Sequence, residues 1–218
     1  MLNIQIIEKN YGADRVLENI DLQLNQPGIY GLVGKNGQGK TTLFRCVLGL
    51  EKYAGKCLLN GRETNLQNLA WCPAEPPVYD ELTAGEFTDF YAHLLGVEKE
   101  TEQGLFPVPM DKLIKEFSTG MKKKVYLNAV FQKEYAVYLL DEPFNGLDLE
   151  SNYLLMQQLL EIAQSSIIII SSHIIDILYA HCQQIFVIQD KKLTTFEPQT
   201  YAEIQQLLFG NGAAVRER

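Results

Sequence analysis

The sequence predicts an α/β protein with a helical insertion in its middle. Two observations carry this. Short apolar or alternating runs that read as strands are interleaved with helical runs towards both ends of the chain. Between about residues 78 and 130 the strand runs stop, and helical patterns separated by a proline-punctuated loop take over. With 218 residues and 46% apolar residues, the chain can build one sizeable core, with room for a modest subdomain.

Each element has its own signal. "LNIQIIEKN" has strand composition. "LENIDLQLNQPG" alternates Ile20, Leu22 and Leu24 with polar residues and closes on a Pro27-Gly28 turn. "GIYGLVG" is a short apolar run ending in glycine, and "KTTLFRCVLGL" after it is helical. "KCLLNGR" reads as a strand entering an Asn60-Gly61 turn. Thr83 and Glu86 form a capping-box pair in front of the helix "FTDFYAHLLG". "VEKETEQGLFPVPMDKL" reads as loop, and "STGMKKKVYLNAVFQ" starts another helix. "AVYLLDEP" is a buried strand with a hard stop; "LESNYLLMQQLLEIAQ" is an amphipathic helix, "SIIIISS" a strand and "IIDILYAHC" a helix. "QIFVIQDKKLTTFE" predicts a hairpin, "YAEIQQLLFG" a last helix and "NGAAVRER" a frayed end. No internal repeat or low-complexity segment is present.

Composition narrows the class. Acids outnumber bases 27 to 19, a formal charge of −8 that argues against a broad nucleic-acid footprint. Cys46, Cys57, Cys72 and Cys182 are scattered without a C-x-x-C pair, which fits reduced thiols rather than a zinc or disulfide framework. No signal-peptide pattern opens the chain and no run reaches membrane-span length, so a membrane role has to come through a partner. Lys122 to Lys124 read as a solvated helix face rather than a nucleic-acid patch.

"GKNGQGKTT" matches G-x-x-x-x-G-K-[ST] in full, between a strand and a helix. Gly34, Lys35, Asn36, Gly37, Gln38 and Gly39 form a loop whose glycines let backbone N–H groups turn towards phosphate oxygens. Lys40 reaches the β- and γ-phosphates, Thr41 ligates Mg²⁺, and the helix that carries them with Thr42 adds its positive end. "AVYLLDEP" delivers Asp141 and Glu142 at a strand's carboxyl end, where open α/β sheets bind ligands. Asp141 is the candidate for holding Mg²⁺, and Glu142 the candidate for activating the attacking water.

These motifs, in this order, resemble the nucleotide-binding subunit of an ATP-binding-cassette (ABC) transporter along nearly the whole chain. Tyr11 stands where that family stacks an aromatic on adenine. "FSTGMKKK" resembles the family signature: Ser118 and Gly120 are retained, while Phe117, Thr119 and Met121 depart from the usual Leu, Gly and Gln. Ser118 can donate to a phosphate, and Gly120 permits close backbone approach at a helix N-terminus. Asn145 to Asp148 resemble the D-loop, and His173 stands at the switch histidine, able to donate to the γ-phosphate. The resemblance implies a P-loop NTPase of RecA-like fold: a mixed sheet, an N-terminal antiparallel β subdomain and a short helical insertion. It implies one domain over 1–218, with a catalytic core of 1–77 and 131–218 and a helical subdomain of 78–130. It also implies ATP and Mg²⁺, and a second nucleotide-binding subunit, identical or not, so that the signature of one caps ATP on the P-loop of the other. Transmembrane subunits on a separate chain follow, with export as the direction, no nucleic acid, and a place on the cytoplasmic face of the membrane.

One position breaks the pattern. In "WCPAEPPVYDELTAGEF", Trp71, Pro73, Glu75, Pro76, Pro77 and Tyr79 fix the register of the family's Q-loop, and put Ala74 where a glutamine contacts Mg²⁺ and water. Glu75 is adjacent, but successive residues of extended chain point opposite ways. This implies an ATPase of reduced rate. The alternatives are a nucleotide-gated module with weak turnover, and a soluble ABC ATPase acting on ribosomes or DNA. Members of the last type usually carry two cassettes or a long coiled coil, and this chain has neither.

Overall fold

Residues 1–97, 104–173 and 175–209 are described in the computed structural model. Alternating apolar residues build the first sheet. Strand β1 (Leu2–Tyr11) buries Leu2, Ile4 and Ile6, and pairs antiparallel with β2 (Asp14–Leu24), which buries Leu17, Ile20, Leu22 and Leu24 on the same side. Strand β4 (Ala54–Leu59) pairs with the other edge of β1, then turns at Asn60 (φ 51°) and Gly61 (φ 80°) into the two-residue β5 (Arg62–Glu63). The order is β2-β1-β4-β5, antiparallel throughout.

The continuous apolar runs make the second sheet, because their strands are covered on both faces. They are β3 (Gly28–Val33), β7 (Val137–Asp141), β8 (Ile167–Ser171) and β9 (Gln184–Gln189), flanked by the three-residue β6 (Ala70–Cys72) and by β10 (Lys192–Phe196), a mostly exposed edge strand. Their order is β10-β9-β3-β8-β7-β6, all parallel except β10. Val137, Leu139, Ile167 and Ile169 face a core shared with the antiparallel sheet and helix α1 (Lys40–Val47). Tyr138, Leu140, Ile168 and Ile170 face the opposite core, under α2 (Ala84–Leu95), α3 (Thr119–Val130), α4 (Leu149–Ile162), α5 (Ile175–His181) and α6 (Ala202–Phe209). The mixed sheet and the N-terminal antiparallel sheet are those expected from the sequence. β6 has no counterpart there, because three residues are too few to show a period. The expected frayed end and the polar start of the loop after α2 lie outside the described residues.

The capping box in front of α2 is formed in both directions: Glu86 N–H donates to Thr83 Oγ1 at 3.2 Å, and Thr83 N–H to Glu86 Oε2 at 2.8 Å. Rings hold α2 to α3, with Tyr91–Tyr126 edge-on at 5.6 Å and Phe87–Tyr126 centroids 6.4 Å apart. The loop between these helices is held near Met110 to Ile114 by backbone bonds to Leu82, Ala84 and Gly85, and at Phe106 by an amide side chain. Asn128, on α3, accepts from Phe106 N–H and donates to Phe106 C=O, both at 2.8 Å, and Phe106 itself is buried. Asn128→Ala leaves two buried backbone groups unpaired. At about 1–3 kcal/mol per orphaned group, the loss should be about 2–6 kcal/mol in denaturant unfolding. A change below about 0.5 kcal/mol would show that the amide does not hold this loop.

Candidate functional site

The loop from β3 to α1 turns on left-handed glycines, Gly37 at φ 81° and Gly39 at φ 104°. A Cβ on Gly39 would come within 2.9 Å of a Leu17 methyl, and the left-handed φ of Gly39 itself favours glycine. α1 begins at Lys40 with no side-chain cap, which leaves its first-turn N–H groups free of a capping acceptor. Lys40 is largely buried and its Nζ donates to Gly34 C=O at 2.7 Å, so the ammonium folds back over the loop. Asn36, Gly37, Gly39, Lys40, Thr41 and Thr42 line an open cleft of about 340 Å³. Lys35 and Gln38 are not among the lining residues. Lys35 C=O accepts from Gln38 N–H at 3.2 Å, and Gln38 Oε1 accepts from Asp190 N–H at 3.2 Å, so these two shape the loop. Two larger surface clefts, beside Tyr135 and beside Tyr30, are not lined by this loop.

The opposite wall is the carboxyl end of β7. Asp141 and Glu142 both line the cleft. Asp141 is buried; Thr41 Oγ1 donates to its Oδ2 at 2.5 Å and Ser171 Oγ donates to its Oδ1. Glu142 has φ 48°, a left-handed conformation for a residue with a side chain. Its N–H is shared between Ser171 C=O at 3.1 Å and Ser171 Oγ at 3.0 Å. Its carboxylate Oε2 lies 2.9 Å from His173 Nδ1, just past the end of β8. An ionised carboxylate can only accept, so Nδ1 carries the proton and Nε2 is left as the second polar atom of the ring.

The other expected site residues lie outside the cleft. Ser118 caps α3, accepting from Met121 N–H at 3.3 Å. Gly120 sits against the loop after β7, where a Cβ would meet Gly146 O at 2.3 Å. Tyr11 ends β1, 44% exposed, with Lys9 Nζ 4.2 Å from its ring centroid.

The three lysines of "GMKKK" are not the solvated face expected from the sequence. Lys122 bonds Asp80 at 2.6 Å, and Lys124 bonds Asp148 at 2.7 Å, which holds the Asp148 carboxyl well below its ordinary pKa. Lys123 is 2% exposed, and its Nζ donates to Glu142 C=O and Asn145 C=O, each at 2.9 Å. Partners on other segments, out of reach of a helix-face reading, account for the difference.

Ala74 lines the cleft beside Asp141 and Glu142, and Glu75 is not among the lining residues. The oxygens of Thr41 and Asp141 are adjacent and hard. They suit Mg²⁺, which takes one or two protein oxygens and completes its shell with phosphate and water.

A family model described as ABC transporter matches residues 17–145. The chain belongs to the ABC transporter family. It is 30% identical to the ABC-type transporter ATP-binding protein EcsA of Bacillus subtilis, over 87% of this chain and 84% of that one. It is 33% identical to the lantibiotic transport ATP-binding protein SrtF of Streptococcus pyogenes, over 80% and 81% of the two chains. A solved ATP-binding subunit of an ABC transporter superposes with a TM-score of 0.82 at 26% identity, covering 97% of this chain and 95% of that chain. Nucleotide binding follows from membership in the ABC family. No helix among the described residues is long and apolar enough to cross a membrane.

Two residues that shape this ABC site were not found from the sequence. Ser171 was readable only as the end of an apolar strand, and Lys123 only as one lysine of three. The cleft generates a prediction about Ala74. Ala74→Gln puts an amide beside Asp141 and Glu142, and should raise steady-state kcat by roughly 5- to 150-fold, about 1–3 kcal/mol, with less change in KM. Glu75→Ala should change little. No gain from the first together with a large loss from the second would move the role to Glu75.

Proposed function

We propose that the chain hydrolyses ATP and pairs head to tail with a second nucleotide-binding subunit, energising an exporter whose membrane subunits are separate chains. The observation that carries this is the single cleft shared by the P-loop, Asp141 and Glu142, with the signature-like start of α3 outside it. A phosphate chain laid on the α1 N-terminus meets backbone N–H groups and Lys40, which moves from Gly34 C=O onto phosphate oxygens. Thr41 and Asp141 would hold Mg²⁺, which would supply charge neutralisation to the phosphates. Glu142 accepts the proton of the attacking water, and His173 orients it through Nδ1–H; the imidazolium form, with a proton on each nitrogen, also donates from Nε2 to the γ-phosphate. Tyr11 offers the adenine a ring face.

Ser118 and Gly120 are not among the residues lining the chain's own cleft, which supports a role in capping ATP on a neighbouring copy. Residues 78–130 act as a helical subdomain towards the membrane subunits, on the cytoplasmic face. The name of the SrtF relative, a lantibiotic transport ATP-binding protein, supports a role in transport. Ala74 in the cleft favours slow turnover.

Glu142→Gln keeps the phosphate contacts and removes the base, a contribution of about 10²–10⁴ in rate. With Mg-ATP it should accumulate as a dimer in size-exclusion chromatography, and Lys40→Ala should remain monomeric. A Glu142→Gln variant that binds ATP yet stays monomeric at high concentration would argue against the homodimeric form of the shared site.

A further inference from the structure

Glu142 occupies a backbone region that residues with side chains rarely adopt, and such a conformation persists only where the surroundings over-determine it. Its N-terminal side is fixed by Ser171. Its C-terminal side is fixed twice: its carbonyl accepts from Asn145 N–H at 3.2 Å and from Lys123 Nζ at 2.9 Å, and the same ammonium also takes Asn145 C=O. Lys123 is buried, and neither bond goes to a carboxylate. A cation in such a place is held by the carbonyls it bridges and sets their separation. Because φ and ψ at Glu142 direct its side chain, a clamp on that carbonyl is also a clamp on where the carboxylate points.

We propose that Lys123 is a positioning residue: it locks the turn Glu142–Asn145 and so aims the Glu142 carboxylate at the attacking water. The inference rests on the ATPase reading above and extends it. Lys123 lies on α3, less than two turns from Ser118, and Gly120 of the same helix packs on Gly146 of the same turn. Lys124 reaches Asp148 just beyond it. The helix that begins with the signature and the turn that carries the base are therefore one mechanical unit. A shift of α3 when Ser118 and Gly120 engage ATP on a neighbouring copy is delivered directly to Glu142. Burial lowers the lysine's pKa, and the nearby Glu142 and Asp141 carboxylates oppose that shift.

The test is a double-mutant cycle on the full chain with Mg-ATP. Lys123→Met should lower kcat by roughly 10- to 100-fold, with KM, ATP affinity and binding stoichiometry within about threefold of wild type. In the Glu142→Gln background it should add nothing further, because the group it aims is gone. Lys123→Arg, which keeps the donors, should recover most of the rate, and Lys123→Gln should fall between. Losses that multiply across the two sites would overturn the proposal, as would an unchanged kcat, or a fall in kcat matched by lost binding stoichiometry. Should the Met variant not fold, the Gln and Arg variants carry the same comparison, and equal activity in both would overturn it. A wild-type chain that neither binds nor hydrolyses Mg-ATP would instead refute the ATPase reading itself.

Discussion

The buried carboxylate of Asp141 is the point on which the candidate site is assembled. A charge withdrawn from water needs fixed partners, and here two hydroxyls supply them from different segments: Thr41 from the first turn of α1 and Ser171 from the end of β8. The strand that carries it, the helix behind the phosphate loop and the neighbouring strand are thus joined at one side chain. Ser171 then passes the constraint on, since its hydroxyl and carbonyl both take the N–H of Glu142.

The sheet explains why those groups meet. A parallel strand order of β9-β3-β8-β7 places the carboxyl ends of β3, β7 and β8 side by side. The phosphate loop, the acidic pair and His173 each follow one of these ends, so residues far apart in sequence arrive in one place without any long connection. The antiparallel sheet reaches the same region from the side. Glu18 N–H bonds Lys191 C=O at 2.8 Å, and the neighbouring Asp190 bonds Gln38, which makes the β9–β10 turn a brace for the phosphate loop.

How much of this was readable in advance depended on range. The phosphate loop, the acidic pair and the capping box are local patterns, and the sequence shows them because each is complete within a few residues. Strands β3, β7 and β8 were legible as continuous apolar runs, the mark of burial on two faces. What sequence spacing could not show were contacts made at a distance. Ser171 acts across a strand register, Asp141 against Ser171, that no local pattern encodes. Lys123 sits in a run of three lysines whose separate fates are decided by Asp80, by the Glu142–Asn145 turn and by Asp148. Phe106 lies in a stretch legible only as loop, and is buried because an amide on α3 satisfies its backbone.

The short strands at the sheet margins have a consequence for solubility. β5, at one margin of the antiparallel sheet, is two residues long, and β6, at one margin of the mixed sheet, is three. At the opposite margins β2 and β10 lie against each other, linked by the Glu18–Lys191 bond. Little unpaired backbone is therefore offered for another chain to extend, and runs as apolar as "SIIIISS" are kept in the middle of a sheet. Association of such a chain is left to side-chain surfaces and loops, which can be released again, rather than to strand addition, which tends to be permanent.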